Sequence, residues 1–222
     1  MTQRPLLIAV EGCDGTGKTA LVAALVRAFL SLGIAAASIK RPAKDALAAF
    51  YVQGQDISQS QVLAMMNADC RAAIDTARAM QANGTPVVIF DRYYPSAAIY
   101  QGGSDWQGEL ERQRERWGEP DLWVFCHAKW QAVQHRIAKR DQDNDKHTPI
   151  ETIAARLAQY EWAASNVHAP VAAYKFSAIG STGRVASVRG AANWKAEAWH
   201  NCDTSPEDVV ALKIAEAARR MK

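Results

Sequence analysis

The chain has 222 residues, 49% of them hydrophobic and 22% charged, with a formal net charge of +3. That is enough apolar material for one well-filled domain over residues 1–222, yet its longest apolar stretches are broken by charge, as at Arg27, so no membrane span is expected. A basic balance this mild gives no argument for nucleic-acid binding and suits a solvated surface or anionic small substrates.

The first apolar run, Leu6 to Val10, is too short for a signal peptide and has the length of a strand buried on both faces. Gly12 to Gly17 follow, then a helical pattern from Lys18 to Leu32, with Leu21, Leu25, Phe29 and Leu32 on one face and Gly33 as its stop. Ile34 to Ile39 reads as a second strand closed by Pro42. Ser58 or Ser60 can cap a long helix reaching Asn83-Gly84, and Pro86 to Phe90 forms a further buried strand ending at Asp91. Leu122 to Cys126 is another strand, with a helix from Trp130 to Arg140 and a further one from Ile150 to about Tyr174. Phe176 to His200 is irregular; Val185–Val188 and Lys195–Trp199 can pair as a hairpin. The final helix starts at Ser205 as cap and Pro206 as first residue. Strands alternating with helices mean an α/β fold with a parallel sheet. The scattered cysteines, Cys13, Cys70, Cys126 and Cys202, form no CxxC pair and favour a reducing, cytoplasmic setting.

The chemistry begins at Gly12-Cys13-Asp14-Gly15-Thr16-Gly17-Lys18-Thr19, a complete G-x-x-x-x-G-K-[ST] motif lying between a strand and a helix. Glycines let successive backbone N–H groups curl around phosphate oxygens, and the opening helix adds its partial positive charge. With Ala20, these residues form the expected ATP site. Lys18 would reach the β- and γ-phosphates, and the Thr19 hydroxyl would ligate Mg²⁺. Asp91, at the carboxyl edge of the sheet, is the second expected metal residue, holding Mg²⁺ through water.

Asp91-Arg-Tyr-Tyr-Pro-Ser-Ala-Ala-Ile-Tyr100-Gln101 resembles the D-R-[YH]-x-x-S-x-x-A-[YF] signature of thymidylate kinases, and Glu11 to Thr19 resembles that family's E-G-x-[DE]-G-x-G-K-[ST]. The resemblance covers roughly the first 160 residues. It implies a three-layer P-loop fold with a mobile lid at about 136–150. It also implies ATP as donor, Mg²⁺ as cofactor, and a deoxypyrimidine nucleoside monophosphate, foremost dTMP, as acceptor. By the same resemblance, Arg92 would bind the acceptor's 5′-phosphate, Asp14 its 3′-hydroxyl and the metal shell, Tyr100 its sugar and Arg71 its base. Lys40, Lys44, Ser96, Ala97 and Gln101 would complete that pocket. Arg140 of the lid would supply the catalytic cation, beside Lys18, Arg92 and Asp14, while Arg136 would lie near the ATP base.

Three departures bear on the acceptor. Asn67 stands where the family usually has a phenylalanine stacked on thymine, Lys40-Arg-Pro-Ala43 lacks the usual glycine, and 176–200 looks like an insertion. The acceptor is therefore dTMP, another deoxypyrimidine monophosphate or a modified pyrimidine. A homodimer is a separate expectation. Rival readings are a deoxynucleoside kinase, a kinase acting within DNA, and a non-catalytic nucleotide-binding protein. The first needs a base for a 5′-hydroxyl where this chain has Lys40, Arg41 and Lys44, cations that suit an acceptor already carrying phosphate.

Overall fold

The computed structural model describes residues 5–44, 57–143, 150–169, 171–176, 183–189, 197–198 and 206–220, with only the backbone at 140–143, 150, 172–176, 183–189, 197–198, 206–207, 209–210, 217 and 220. Seven strands form one sheet: β1 (Leu6–Glu11), β2 (Ala36–Lys40), β3 (Val87–Asp91), β4 (Leu122–Ala128), β5 (Val171–Phe176), β6 (Gly183–Arg189) and β7 (Glu197–Ala198). Their spatial order is β2-β3-β1-β4-β5-β6-β7. The first five run parallel, and β6 and β7 are added antiparallel at one edge.

Helices cover both faces: α1 (Lys18–Ser31), α2 (Gln59–Ala82), α3 (Tyr94–Gln101), α4 (Trp106–Trp117), α5 (Trp130–Asp143), α6 (Ile150–Asn166) and α7 (Pro206–Arg220). The strand pleat sorts the core between them. Leu6, Ile8 and Val10 of β1, Val87 and Ile89 of β3, and Leu122, Val124 and Cys126 of β4 pack with α1 and α7. The alternate residues, among them Ala9, Val88, Phe90, Trp123 and Phe125, pack with α2 to α6 on the other face. Burial on both faces is why these strands read as unbroken apolar runs rather than alternating ones.

α2 begins with a capping box. The Ser58 hydroxyl accepts from the Gln61 backbone N–H while the Gln61 side chain accepts from the Ser58 backbone N–H. One sequence expectation fails here. The helix from Ile150 ends at Asn166, and Val171–Phe176 is instead the fifth parallel strand, paired along β4. A proline at 170 in the sequence disfavours helix in the residue before it, and the apolar periodicity beyond it belongs to a strand. The hairpin within 176–200 exists as β6 and β7, paired at Arg184↔Ala198 and Val185↔Glu197, and β6 also extends the main sheet through β5. Ser205 and the segment 144–149 of the expected lid lie outside the described residues. No described helix is long and apolar enough to cross a membrane.

β1 sits between β3 and β4, so its carboxyl end opens on the crevice where the strand order reverses. The register sets Val10 and Lys40 both opposite Asp91, bringing three strand ends to one edge.

Candidate active site

The loop after β1 has the backbone a phosphate cradle needs. Gly12 has φ 147°, and a Cβ there would lie 2.5 Å from the Cys126 carbonyl oxygen of β4, so only glycine fits. Lys18 turns back over the loop, its Nζ donating to the Cys13 carbonyl at 2.7 Å, which also accepts from the Thr16 hydroxyl at 2.7 Å. α1 starts at Gly17 without a side-chain cap and without an acidic residue in its first turn. Its first N–H groups are therefore left for an anionic ligand. Burial, and next the charge of Arg92, lower the Lys18 ammonium to about 8. From α5, Arg136 donates to the Gly15 carbonyl at 3.0 Å, which sets it against the loop.

Thr19 and Asp91 meet directly, the hydroxyl donating to the carboxylate at 2.9 Å. A hydroxyl and a carboxylate are hard oxygen donors. Mg²⁺ needs little more from protein, because it keeps several waters and takes other ligands from phosphates. These two residues fit such an ion.

Directly after Asp91, the non-glycine residue Arg92 adopts φ 75°, a conformation few side chains accept and one associated with functional sites. Its Nη2 is ion-paired with Asp14, and its Nη1 donates to the Ser96 hydroxyl at 2.9 Å and the Tyr160 hydroxyl at 3.1 Å. Beneath it, the fully buried Glu11 accepts from Ser96 Oγ at 2.7 Å and from the Tyr93 N–H at 2.6 Å. Burial pushes the Glu11 carboxyl up, opposed by Arg92, Ser96 and Tyr93. Burial also works against the charge of Arg92, but Tyr160, Tyr100, Asp14 and Glu11 hold its pKa well above the ordinary arginine value. The Tyr100 hydroxyl donates to Asp14 at 3.2 Å, and the guanidinium of Arg156, from α6, lies 4.0 Å over the Tyr100 ring. Cys13 and Cys126 nearby are held as neutral thiols by burial, the latter pushed up to about 12.

These groups wall a cavity of about 520 Å³. Of the acceptor residues expected from sequence, Asp14, Lys40, Arg92 and Ser96 line it, as do Ala97, Tyr100 and Gln101. Lys44, Asn67 and Arg71 do not line it. Lys44 is exposed, the Asn67 side-chain oxygen accepts from Gln113 Nε2 at 2.6 Å, and the Arg71 guanidinium stacks over Trp117 at 5.8 Å. Arg140 falls within α5, but its side chain is outside the described residues. Sequence reasoning missed Tyr160 and Arg156, whose helical spacing carries no signal of their direction. Glu11 stands within the loop motif, which carries no sign of its contact with Ser96.

A glycine loop closed by a buried lysine, a hydroxyl–carboxylate pair beside it and a cationic cavity at the switch point define a P-loop phosphotransferase of the α/β class. The thymidylate kinase family model matches residues 10–169. The chain thus belongs to the thymidylate kinase family, and it is a nucleoside monophosphate kinase. Among its relatives, the thymidylate kinase of Leptospira interrogans is 23% identical over 167 residues, 72% of this chain and 81% of that protein. That of Xanthomonas oryzae is 32% identical over 108 residues, 45% of each chain. That of Bordetella pertussis is 29% identical over 135 residues, covering 56% of this chain and 64% of its own.

Proposed function

We propose that the protein transfers the γ-phosphoryl group of ATP, bound with Mg²⁺, to a deoxypyrimidine nucleoside 5′-monophosphate, foremost dTMP. The observation that carries this is the charge balance of the acceptor cavity. Lys40, Arg41, Arg92 and Arg156 line it against one carboxylate, Asp14. Arg92 is paired with Asp14, and Arg41 with Asp69 behind the wall. Lys40 and Arg156 have no carboxylate within ion-pair distance among the described residues. A dianionic phosphate ester supplies the missing charge through charge-assisted hydrogen bonds, whereas a neutral 5′-hydroxyl does not. The lining carboxylate is also committed to Arg92 and Tyr100, which leaves a nucleoside without a base to take its proton.

In this reading an oxygen of the acceptor phosphate attacks the γ-phosphorus and the bond to the bridging oxygen of ADP breaks. The products are ADP and a nucleoside diphosphate, and no proton need be removed from the nucleophile. Lys18 and the α1 N-terminus neutralise the donor, Arg92 orients the acceptor, and Arg140 is the proposed lid cation on the transferring group. Thr19 and Asp91 would hold Mg²⁺, which would supply charge neutralisation for the phosphates. Tyr100 lines the cavity, and its match to the family's sugar-packing aromatic makes a deoxyribose the expected acceptor sugar. Initial rates with ATP and Mg²⁺ on matched pairs of deoxynucleosides and their monophosphates test the proposal. Turnover is expected only with the monophosphates, and efficient phosphorylation of thymidine with dTMP inert overturns it.

A further inference from the structure

Glu11 closes β1 directly before the phosphate loop, but its side chain is fully buried and reaches across to α3. There Oε1 accepts from the Tyr93 N–H at 2.6 Å and the Ser96 N–H at 3.3 Å, and Oε2 accepts from the Ser96 hydroxyl at 2.7 Å. α3 has no side-chain cap of its own; Tyr93 stands at the cap position and Pro95, in the first turn, has no N–H to satisfy. A carboxylate from another element thus takes the place of the N-cap, accepting the N–H of the third helical residue.

Ser96 carries the connection on to Arg92. An ionised carboxylate only accepts, so the single Ser96 hydroxyl proton points at Glu11 and the lone pairs are left for donors. Those donors are Arg92 Nη1 at 2.9 Å and the Tyr160 hydroxyl at 2.8 Å, and Tyr160 in turn accepts from the same Nη1 at 3.1 Å. These bonds all run one way, from the guanidinium to Glu11. Nη1 also approaches the Gly12 carbonyl of the phosphate loop at 3.5 Å, while 16% of the Arg92 side chain stays exposed where it lines the cavity. The backbone of Arg92, at φ 75°, is in a conformation that persists only where the surroundings over-determine it. Glu11 holds that backbone through the Tyr93 N–H and the side chain through Ser96.

Resting on the monophosphate kinase reading, we propose that Glu11 is a positioning residue for the transfer: acting through Ser96, it fixes the Arg92 guanidinium relative to the phosphate loop that starts at Gly12. The loop and the acceptor arginine then share one buried anchor, which sets the separation of donor and acceptor phosphates. Tyr160 is a second positioning residue, acting on the same Nη1. Transfer is sensitive to such placement, since a shift on the order of 1 Å can cost about 10²-fold in rate.

The test uses the full chain with ATP and Mg²⁺ and the variant Glu11→Gln, which keeps the shape of the side chain. An amide has one oxygen for two places, so either the α3 N–H groups or the Ser96 hydroxyl must face a donor. The kcat/KM for dTMP is expected to fall by about 10- to 10²-fold, with KM for ATP changed by less than about twofold. Ser96→Ala breaks the same relay at its next member and is expected to lose a similar factor, and the double variant no more than either single one. Should Glu11→Gln not fold, Tyr160→Phe takes one acceptor from Nη1, leaves the α3 cap untouched, and is expected to lower kcat/KM for dTMP while sparing KM for ATP. An unchanged kcat/KM for dTMP in the variant read overturns the proposal. So does a parallel loss in KM for ATP, which would make Glu11 a support of the loop or of the fold, and so do fully additive losses in the double variant. If the unaltered protein turns over no deoxynucleoside monophosphate, the monophosphate kinase reading falls and this proposal with it, an outcome seen before any variant is made.

Discussion

Lys18 is the buried cation of the phosphate loop, and its environment makes it sensitive to pH in a way an exposed lysine is not. Burial lowers its pKa from 10.5 to about 8. Above that pH the side chain loses its proton unless a phosphate is bound, so nucleotide binding must take a proton up. ATP affinity is therefore expected to fall as pH rises above about 8, approaching tenfold per pH unit, as measured by calorimetry between about pH 7 and pH 9.5. Affinity unchanged across that range would contradict a depressed Lys18. The linkage to folding has the opposite direction. Between about 8 and 10.5 the unfolded chain binds more protons at this residue than the folded one, so its contribution to stability rises with pH. Lys18→Ala is expected to leave a folded protein with turnover reduced on the order of 10²-fold or more; near-normal turnover would remove the loop from the donor site. Arg92→Ala should cost at least about 2 kcal/mol in kcat/KM for dTMP, the scale for leaving charged partners unpaired in a buried site. An effect confined to ATP would show that Arg92 serves the donor instead.

Elements decide how firmly those residues are held. The β1–α1 connection depends on Gly12, where a methyl group would press into the β4 backbone. Gly12→Ala should destabilise the protein by at least about 2 kcal/mol in urea unfolding, because the obstructing atom is main chain and cannot swing aside. An unchanged midpoint would mean that β1 and β4 are free to separate. α2 carries the Val62–Met66 wall of the cavity and is started by Ser58. Ser58→Ala is expected to cost about 1 kcal/mol of stability, and a thermal melt unmoved by the change would show the cap to be idle. At this scale the elements that sequence made legible were those with two agreeing signals. α1 has its motif and its Gly33 stop, α2 its cap and its Asn83-Gly84 end, and β3 its apolar run closed by Asp91. The overrun at Ile150 arose where one signal stood alone: small apolar residues from Ala163 to Ala173 fit either period, and pairing with β4, a contact distant in sequence, decides for strand. The side-chain network around Arg92 was hidden for the same reason. Tyr160 and Glu11 reach it from elements far apart in the chain, and spacing along one helix says nothing about what another strand brings to meet it.

The whole molecule sets two charged regions side by side at one sheet edge. β1 delivers the phosphate loop, β3 delivers Asp91 and Arg92, and β2 delivers Lys40 and Arg41, all by the register of parallel strands. The phosphate loop is a backbone cradle with one buried ammonium, and the cavity beside it has more cations than carboxylates. Under the proposed function that division is the physical basis for a phosphate-to-phosphate transfer, with catalysis drawn mainly from positioning and charge neutralisation. The measurement that tests it most directly follows the label from γ-³²P ATP in a mixture of dTMP and thymidine with Mg²⁺. The account expects the label in the β-position of dTDP, with thymidine untouched. Label appearing as the 5′-phosphate of thymidine, or only as inorganic phosphate with both acceptors present, would contradict it.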